Sequence, residues 1–208
     1  MKHPLHSAVT CAALTLLACT AAQAQDADFT GPALAVGVGT THNRLEYGGF
    51  LAGQTSKENS AAVKLDGSYG IALSSQWVAT LGATYDLNKT DFGTVSYVDS
   101  GTTYTVHTKL KNHYSLYVAP GYRLSPNWLV YGKLAWHHAK GEFNDSQVGT
   151  GETTHSGVGF GLGVSTVLAR QVEARFEVQH INFNRKSANL SNGKPETTEA
   201  MLYFGYRF

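Results

Sequence analysis

Two-residue alternation between apolar positions and polar or glycine positions, repeated in eight segments, most constrains what this chain can fold into. Successive side chains of a strand point to opposite faces, so alternation of this kind describes a sheet with two unlike sides. In the last segment Ala200, Leu202, Phe204, Tyr206 and Phe208 share one face, and Met201, Tyr203, Gly205 and Arg207 the other. Residues 157–168 set Val158, Phe160, Leu162, Val164 and Leu168 against Gly157, Gly159, Gly161, Gly163 and Ser165. Segments 34–39, 63–73, 77–87, 109–123, 128–137 and 172–179 follow the same rule, with Leu110 on the apolar side of the fourth of the eight and Lys109, Lys111 and His113 opposite. After residue 24 no run approaches the roughly 18 apolar residues of a membrane helix.

The connectors alternate in length. Ser74-Ser75-Gln76, Ser125-Pro126-Asn127 and Ala169-Arg170-Gln171 are short, while long polar segments at about 43–60, 88–108, 139–155 and 184–198 are expected to be loops. Short turns at one end and long loops at the other characterise a transmembrane barrel. The polar face carries Lys64, Asp66, Asp86, Lys111, Arg123, Lys133, Glu173, Arg175, Glu177 and Arg207. The interior of an eight-stranded barrel is narrow, so its side chains must be small or mutually paired; these charges are expected to form an ionic network in the lumen. The apolar face bears Trp77, Tyr85, Tyr114, Tyr122, Trp128 and Trp136 near strand ends, the pattern of an interfacial aromatic girdle. Lipid offers no hydrogen bonds, so only a closed sheet satisfies every backbone group there. The expectation is an all-β, eight-stranded antiparallel up-and-down transmembrane β-barrel; a water-soluble barrel or sandwich would turn the apolar face inward.

The 208 residues suffice for one domain, and 22 Gly with 11 Tyr and 9 Phe favour strands and tight turns. The formal net charge is +1 and no basic stripe is present, so a nucleic-acid partner is not expected. Residues 1–24 read as a removed signal peptide: Lys2, an apolar run from Ala8 to Ala18, then the small-residue site Ala22-Gln23-Ala24. Leu16-Leu17-Ala18-Cys19 offers a second processing reading, lipidation at Cys19. Residues 25–208 form the expected barrel domain. Its charge falls to zero without Lys2, and it has no cysteine, since Cys11 and Cys19 lie in the leader. Packing and hydrogen bonds alone must hold it together.

The terminal segment Leu202–Phe208, aromatic at alternate positions and ending in Phe, resembles the assembly signal of outer-membrane barrels. The stretch from Gly157 to Phe183 is similar to the small OmpA-like and opacity-type outer-membrane β-barrel family. The resemblance implies an outer-membrane location, contact with lipid and lipopolysaccharide, a monomer, and recognition of Phe204, Tyr206 and Phe208 by the barrel-insertion machinery. With the chain ending at its last strand, peptidoglycan anchoring is not implied. The family's motifs are patterns more than fixed residues, so they specify fold better than function.

Chemistry is sparse. Some small barrels of this kind deacylate lipid A through a His-x-Ser motif, but here His180-Ile181-Asn182 has Asn at the nucleophile's place, and Ser187 and Ser191 fall in an expected loop. No catalysis, metal or cofactor is expected. Of the histidines after the leader, His42, His107, His137, His138, His155 and His180 fall near strand ends on the long-loop side. By parity His107, His113, His137 and His155 point inward, where protonation would alter the loop mouth. The loops hold Arg44, Lys57, Glu58, Asp91, Asp99, Lys140, Glu142, Asp145, Arg185, Lys186 and Lys194, without a ligand motif. The leading expectation is a non-enzymatic surface protein serving envelope structure, with adhesion or ligand contact through four extracellular loops. A small channel for ions or hydrophobic solutes comes second, and a lipid A-modifying enzyme third.

Overall fold

The computed structural model describes residues 29–49, 51–188 and 191–208. The expected signal peptide and its cleavage site lie outside them. Ten strands form among these residues: β1 (Gly31–Gly49), β2 (Thr55–Ala72), β3 (Trp77–Asp86), β4 (Thr90–Asp99), β5 (Thr102–Ser125), β6 (Trp128–Asp145), β7 (Gly149–Ala169), β8 (Val172–Phe183), β9 (Lys186–Ala188) and β10 (Ser191–Arg207). Eight of them, β1-β2-β3-β5-β6-β7-β8-β10, pair antiparallel in a ring that closes through β1 and β10. β4 continues the stave of β3 beyond a break at 87–89 and pairs only with β5, while β9 pairs only with β10.

The register gives the barrel its width. From His42, the paired residues Thr198, His180, Phe160, Leu134, Val118, Leu81 and Tyr69 lead round the ring to Pro32. The path thus comes back to β1 ten residues from its start. With eight strands, that stagger corresponds to a tilt of about 40° and a backbone radius of about 8 Å.

Outside, Leu34, Val36, Val38, Leu65, Leu81, Leu116, Leu134, Phe160, Leu162, Phe176, Leu202 and Phe204 are exposed and form a continuous apolar belt. Trp77 and Tyr85 on β3, Tyr114 and Tyr122 on β5, and Trp128 and Trp136 on β6 bound it, each pair eight residues apart. That spacing is about 26 Å along a strand and about 20 Å along the axis, a fit to the roughly 25 Å apolar band of an outer-membrane barrel. Trp77 packs edge-on against Tyr122 at one margin, and Tyr114 against Trp136 at the other. At the end of β10, Tyr206 and Phe208 meet edge-on with ring centroids 5.0 Å apart.

Inside, three glycines face tyrosines across neighbouring strands: Gly37 opposite Tyr203, Gly82 opposite Tyr117, and Gly163 opposite Tyr131. A Cβ on any of these glycines would run into the facing ring. The alternating glycines are therefore the seats of large lumenal side chains, and the rings fill the narrow interior.

Two expectations fail at the long-connector end. The segments taken for loops are mostly strand: β1 runs to Gly49, β2 starts at Thr55, β4 and β5 form a hairpin over Thr90–Leu110, and β6 and β7 one that turns after Asp145. In water a sheet needs only one buried face, so their polar residues are the outer side of a wall that stands above the belt. The inner side carries Leu45, Tyr47, Phe92, Val95, Val106 and Leu110. The second failure is parity. β5 has a bulge between Lys111 and Tyr114, with Asn112 at a φ of 50°. One extra residue reverses the faces: Leu110, expected to face lipid, is buried inside, whereas Lys111 and His107, expected inside, lie on the outer wall.

Candidate functional site

At belt level the lumen is filled by ion pairs. Lys64 Nζ lies 2.6 Å from Glu199 Oε2 and 3.2 Å from Asp86 Oδ1. Lys133 pairs with Glu177 at 2.7 Å, Arg175 with Asp66 at 2.8 Å, and Arg207 with Glu173. Tyr117 donates to Asp66, Tyr131 to Glu177 and Ser165 to Glu173. Lys133 also sits 4.4 Å over the Tyr117 ring, and Arg175 4.5 Å over that of Tyr203. A gap of about 10 Å³ beside Arg175 and Tyr203 holds about one water at most. Of the ten residues expected in the lumenal network, Lys64, Asp66, Asp86, Lys133, Glu173, Arg175, Glu177 and Arg207 are buried there. Arg123 is half-buried at the turn end. Lys111 is the exception: it bonds Glu142 and Glu152 on the outer wall, each at 2.6 Å. Those contacts raise the Lys111 pKa and lower those of both glutamates.

Sequence reasoning missed several members. Glu199 belongs to the network, and it stands just ahead of the apolar alternation that begins at Ala200. A histidine pair also belongs to the plug. Gln179 donates to His137 Nε2 at 2.9 Å, and His137 Nδ1 lies 2.9 Å from His113 Nε2, whose Nδ1 faces Asp86 at 2.8 Å. With Gln179 donating and Asp86 accepting, each imidazole in this chain uses one nitrogen as donor and the other as acceptor. Parity placed both rings inside, but no spacing rule could reveal that they touch.

Above the plug lies a cavity of about 400 Å³. Phe183 belongs to the same apolar cluster as the cavity walls and packs edge-on against His113 and His137. Leu45, Tyr47, Leu51, Phe92, Val106, Leu110 and Phe143 make apolar walls. Two bulges aim these residues inward, the one at Asn112 and another at Gly93 (φ 81°), which lets Phe92 and Val95 both face the cup. Tyr47 donates to or accepts from Thr108 at 3.1 Å, and burial pushes its phenol pKa up. On the wall, His155 donates from Nδ1 to the Asn184 carbonyl at 3.3 Å and meets Thr153 Oγ1 through Nε2 at 2.8 Å. Burial lowers its pKa.

The rim comes from two hairpin tips. Gln147 Nε2 donates to Asp99 Oδ2 at 2.9 Å and the Gln147 backbone N–H to Asp145 Oδ1 at 2.8 Å, while Tyr97 OH lies 3.1 Å from both Asp145 oxygens. The Tyr97 pKa is raised by desolvation and then by Asp145. Lys186 stands on the cavity's lining as well.

The remaining histidines among the described residues are on the outer wall. His42 meets Asn59 and His180 meets Thr198, both at 2.8 Å, and His138 packs against Tyr114 and Trp136. His107 bonds Thr94 and faces Asp91. Among the described residues no cluster of three or more His, Cys, Asp or Glu is arranged to hold a metal ion.

The sequence model of the family described as "Outer membrane protein beta-barrel domain" matches residues 11–208. No curated protein matches the chain significantly. Among solved structures, the attachment invasion locus protein of Yersinia pestis, Ail, is similar at 15% identity over 84% of this chain and 99% of its own, with a TM-score of 0.45. Neisserial surface protein A is similar at 16% identity over 84% and 97%, with a TM-score of 0.46. OprG from Pseudomonas aeruginosa is similar at 12% identity over 86% and 96%, with a TM-score of 0.42.

Proposed function

The chain belongs to the outer membrane protein beta-barrel domain family, and from that premise we propose that it is a non-catalytic, non-conducting surface receptor that holds a small apolar ligand in the cup at its extracellular mouth. The outer membrane is its location. One observation carries the reading. The axis is filled by paired charges and tyrosines at belt level, while the mouth retains about 400 Å³ behind apolar walls. Pockets of that size and lining suit small molecules, and a closed axis leaves the cup as a place to bind, not a way through. The belt contacts lipid and lipopolysaccharide, and the outward Phe204 and Phe208 with Tyr206 in the closing strand serve the insertion machinery.

Two measurements on the purified full chain test this. In planar bilayers the protein should give no steady conductance above leak. In lipid nanodiscs, saturation-transfer NMR should detect binding of a small aromatic probe such as 2-phenylethanol, competed by bulkier apolar analogues and lost on Leu110→Lys. Steady ion current would favour the channel reading, and absence of probe binding would sink the receptor reading.

A further inference from the structure

The cup has apolar walls, but its charge is one-sided at the hairpin tips. Asp99, at the tip of the β4–β5 hairpin, and Asp145, at the tip of the β6–β7 hairpin, are tied together through Gln147 and Tyr97 and both line the cavity. Several other acids of the upper wall are paired with cations: Asp91 with Lys109, Glu142 with Lys111, Glu196 with Lys194, Glu46 with Arg44. Asp99 and Asp145 have no ion-pair partner among the described residues. Their hydrogen bonds come from neutral donors, which hold the carboxylates in place and leave their charge uncompensated. Beside them are aromatic faces: Tyr97 stacks on Tyr104 with centroids 5.5 Å apart, and Tyr97 and Phe143 both pack against the apolar cluster of the walls. Carboxylate charge next to aromatic faces over an apolar cavity is the chemistry that holds an organic ammonium group.

Resting on the receptor reading above, we propose that the cup's ligand is a small amphiphilic amine. Its aromatic or alkyl body lies against Leu45, Phe92 and Leu110, and its ammonium group lies between Asp99 and Asp145. Lys186, also on the lining, adds to the discrimination by disfavouring a cationic group placed away from the two aspartates.

The test uses the full chain in lipid nanodiscs and four probes with closely related bodies: phenethylamine, its N-trimethyl derivative, 2-phenylethanol and 3-phenylpropionate. Affinities are read by saturation-transfer NMR titration at low and high salt. Both ammonium probes should bind about tenfold or more tightly than the alcohol, the carboxylate should bind weakest, and the preference should shrink as salt rises. In Asp99→Asn/Asp145→Asn, which keeps the size and one acceptor oxygen at each position, the ammonium preference should disappear while alcohol binding stays. Unchanged heat-modifiable gel mobility will confirm that this variant is folded. Equal binding of amine and alcohol overturns the amine assignment and leaves the receptor reading standing. Failure of every probe to bind overturns both, and a preference for the carboxylate overturns the charge argument.

Discussion

Lys64 Nζ lies 2.6 Å from Glu199 Oε2 although the two residues are 135 positions apart. Lys64 is on β2 and Glu199 on β10, the two neighbours of β1. The pair therefore crosses beneath the first strand and ties the barrel's closing seam from inside. Both side chains are almost fully buried, so each charge depends on the other for its solvation.

Removing one partner of that pair should be costly. Lys64→Ala leaves Glu199 and Asp86 buried without their cation, and stability should fall by about 3–5 kcal/mol. Urea unfolding in lipid vesicles measures this. The double change Lys64→Ala/Glu199→Ala should cost less than the two single changes added, and simple additivity would show that the pair is not coupled.

The glycine–tyrosine seats predict position-dependent alanine effects. Gly163→Ala forces the Tyr131 ring aside and should cost about 1–3 kcal/mol. Gly132, which has open space where a Cβ would be, should accept alanine with little loss. Equal effects at both sites in the same unfolding assay would contradict the packing argument.

The β5 bulge sets which residues line the cup. Asn112 has a φ of 50°, so Asn112→Gly should be tolerated and Asn112→Val should cost about 1–3 kcal/mol. Deleting Asn112 should return His107 to the interior and Leu110 to the outer wall. Loss of probe binding with retention of a folded, heat-modifiable barrel is the expected signature.

Acidification should loosen the cup wall around His155. Its folded pKa is held below the ordinary 6.5 by burial, so the unfolded or locally opened state binds the proton more readily. Stability from this group is complete above about pH 6.5 and declines as pH falls below it. Amide exchange near His155 should therefore accelerate between pH 7 and pH 5, and His155→Gln should flatten the change. Exchange that is equally pH-dependent in that variant would assign the effect elsewhere.

The outer-wall network has the opposite chemistry and a lower window. Lys111 holds the pKa values of Glu142 and Glu152 below the usual glutamate range. Their contribution is present above about pH 4.5 and is lost as pH falls through the lowered values. All three side chains are at least partly in water, so salt should weaken the contacts at neutral pH. Lysine side-chain NMR of Lys111 against salt and pH follows this directly.

Local patterning made much of the barrel legible before any coordinate. Alternation at Val158–Leu168 and Leu202–Phe208 identifies staves and their lipid side, because a strand's faces are set by position parity alone. It also places Lys133, Arg175 and Glu177 inside. Parity fails where the backbone inserts a residue. Nothing in Lys109–Tyr114 announces the bulge at Asn112, since many sequences satisfy alternation on either side of it, and His107, Leu110 and Lys111 changed faces in consequence.

The sequence by itself determined that this chain closes into an eight-stranded transmembrane barrel with glycine and charge inside, because lipid punishes any unpaired backbone and any outward charge. Only the tertiary structure decided which charges meet. Lys64 finds Glu199, and His113 finds His137, through the stagger of the closed ring. The cup is likewise a product of closure. Leu45 and Phe92 come from segments that read as polar loops and Leu110 from the expected lipid side of a stave, and they converge because extension of the wall above the membrane and the bulge at Asn112 give these segments an inner face. Carboxylates such as Asp99 and Asp145 become a pair only when two hairpins bring their tips together.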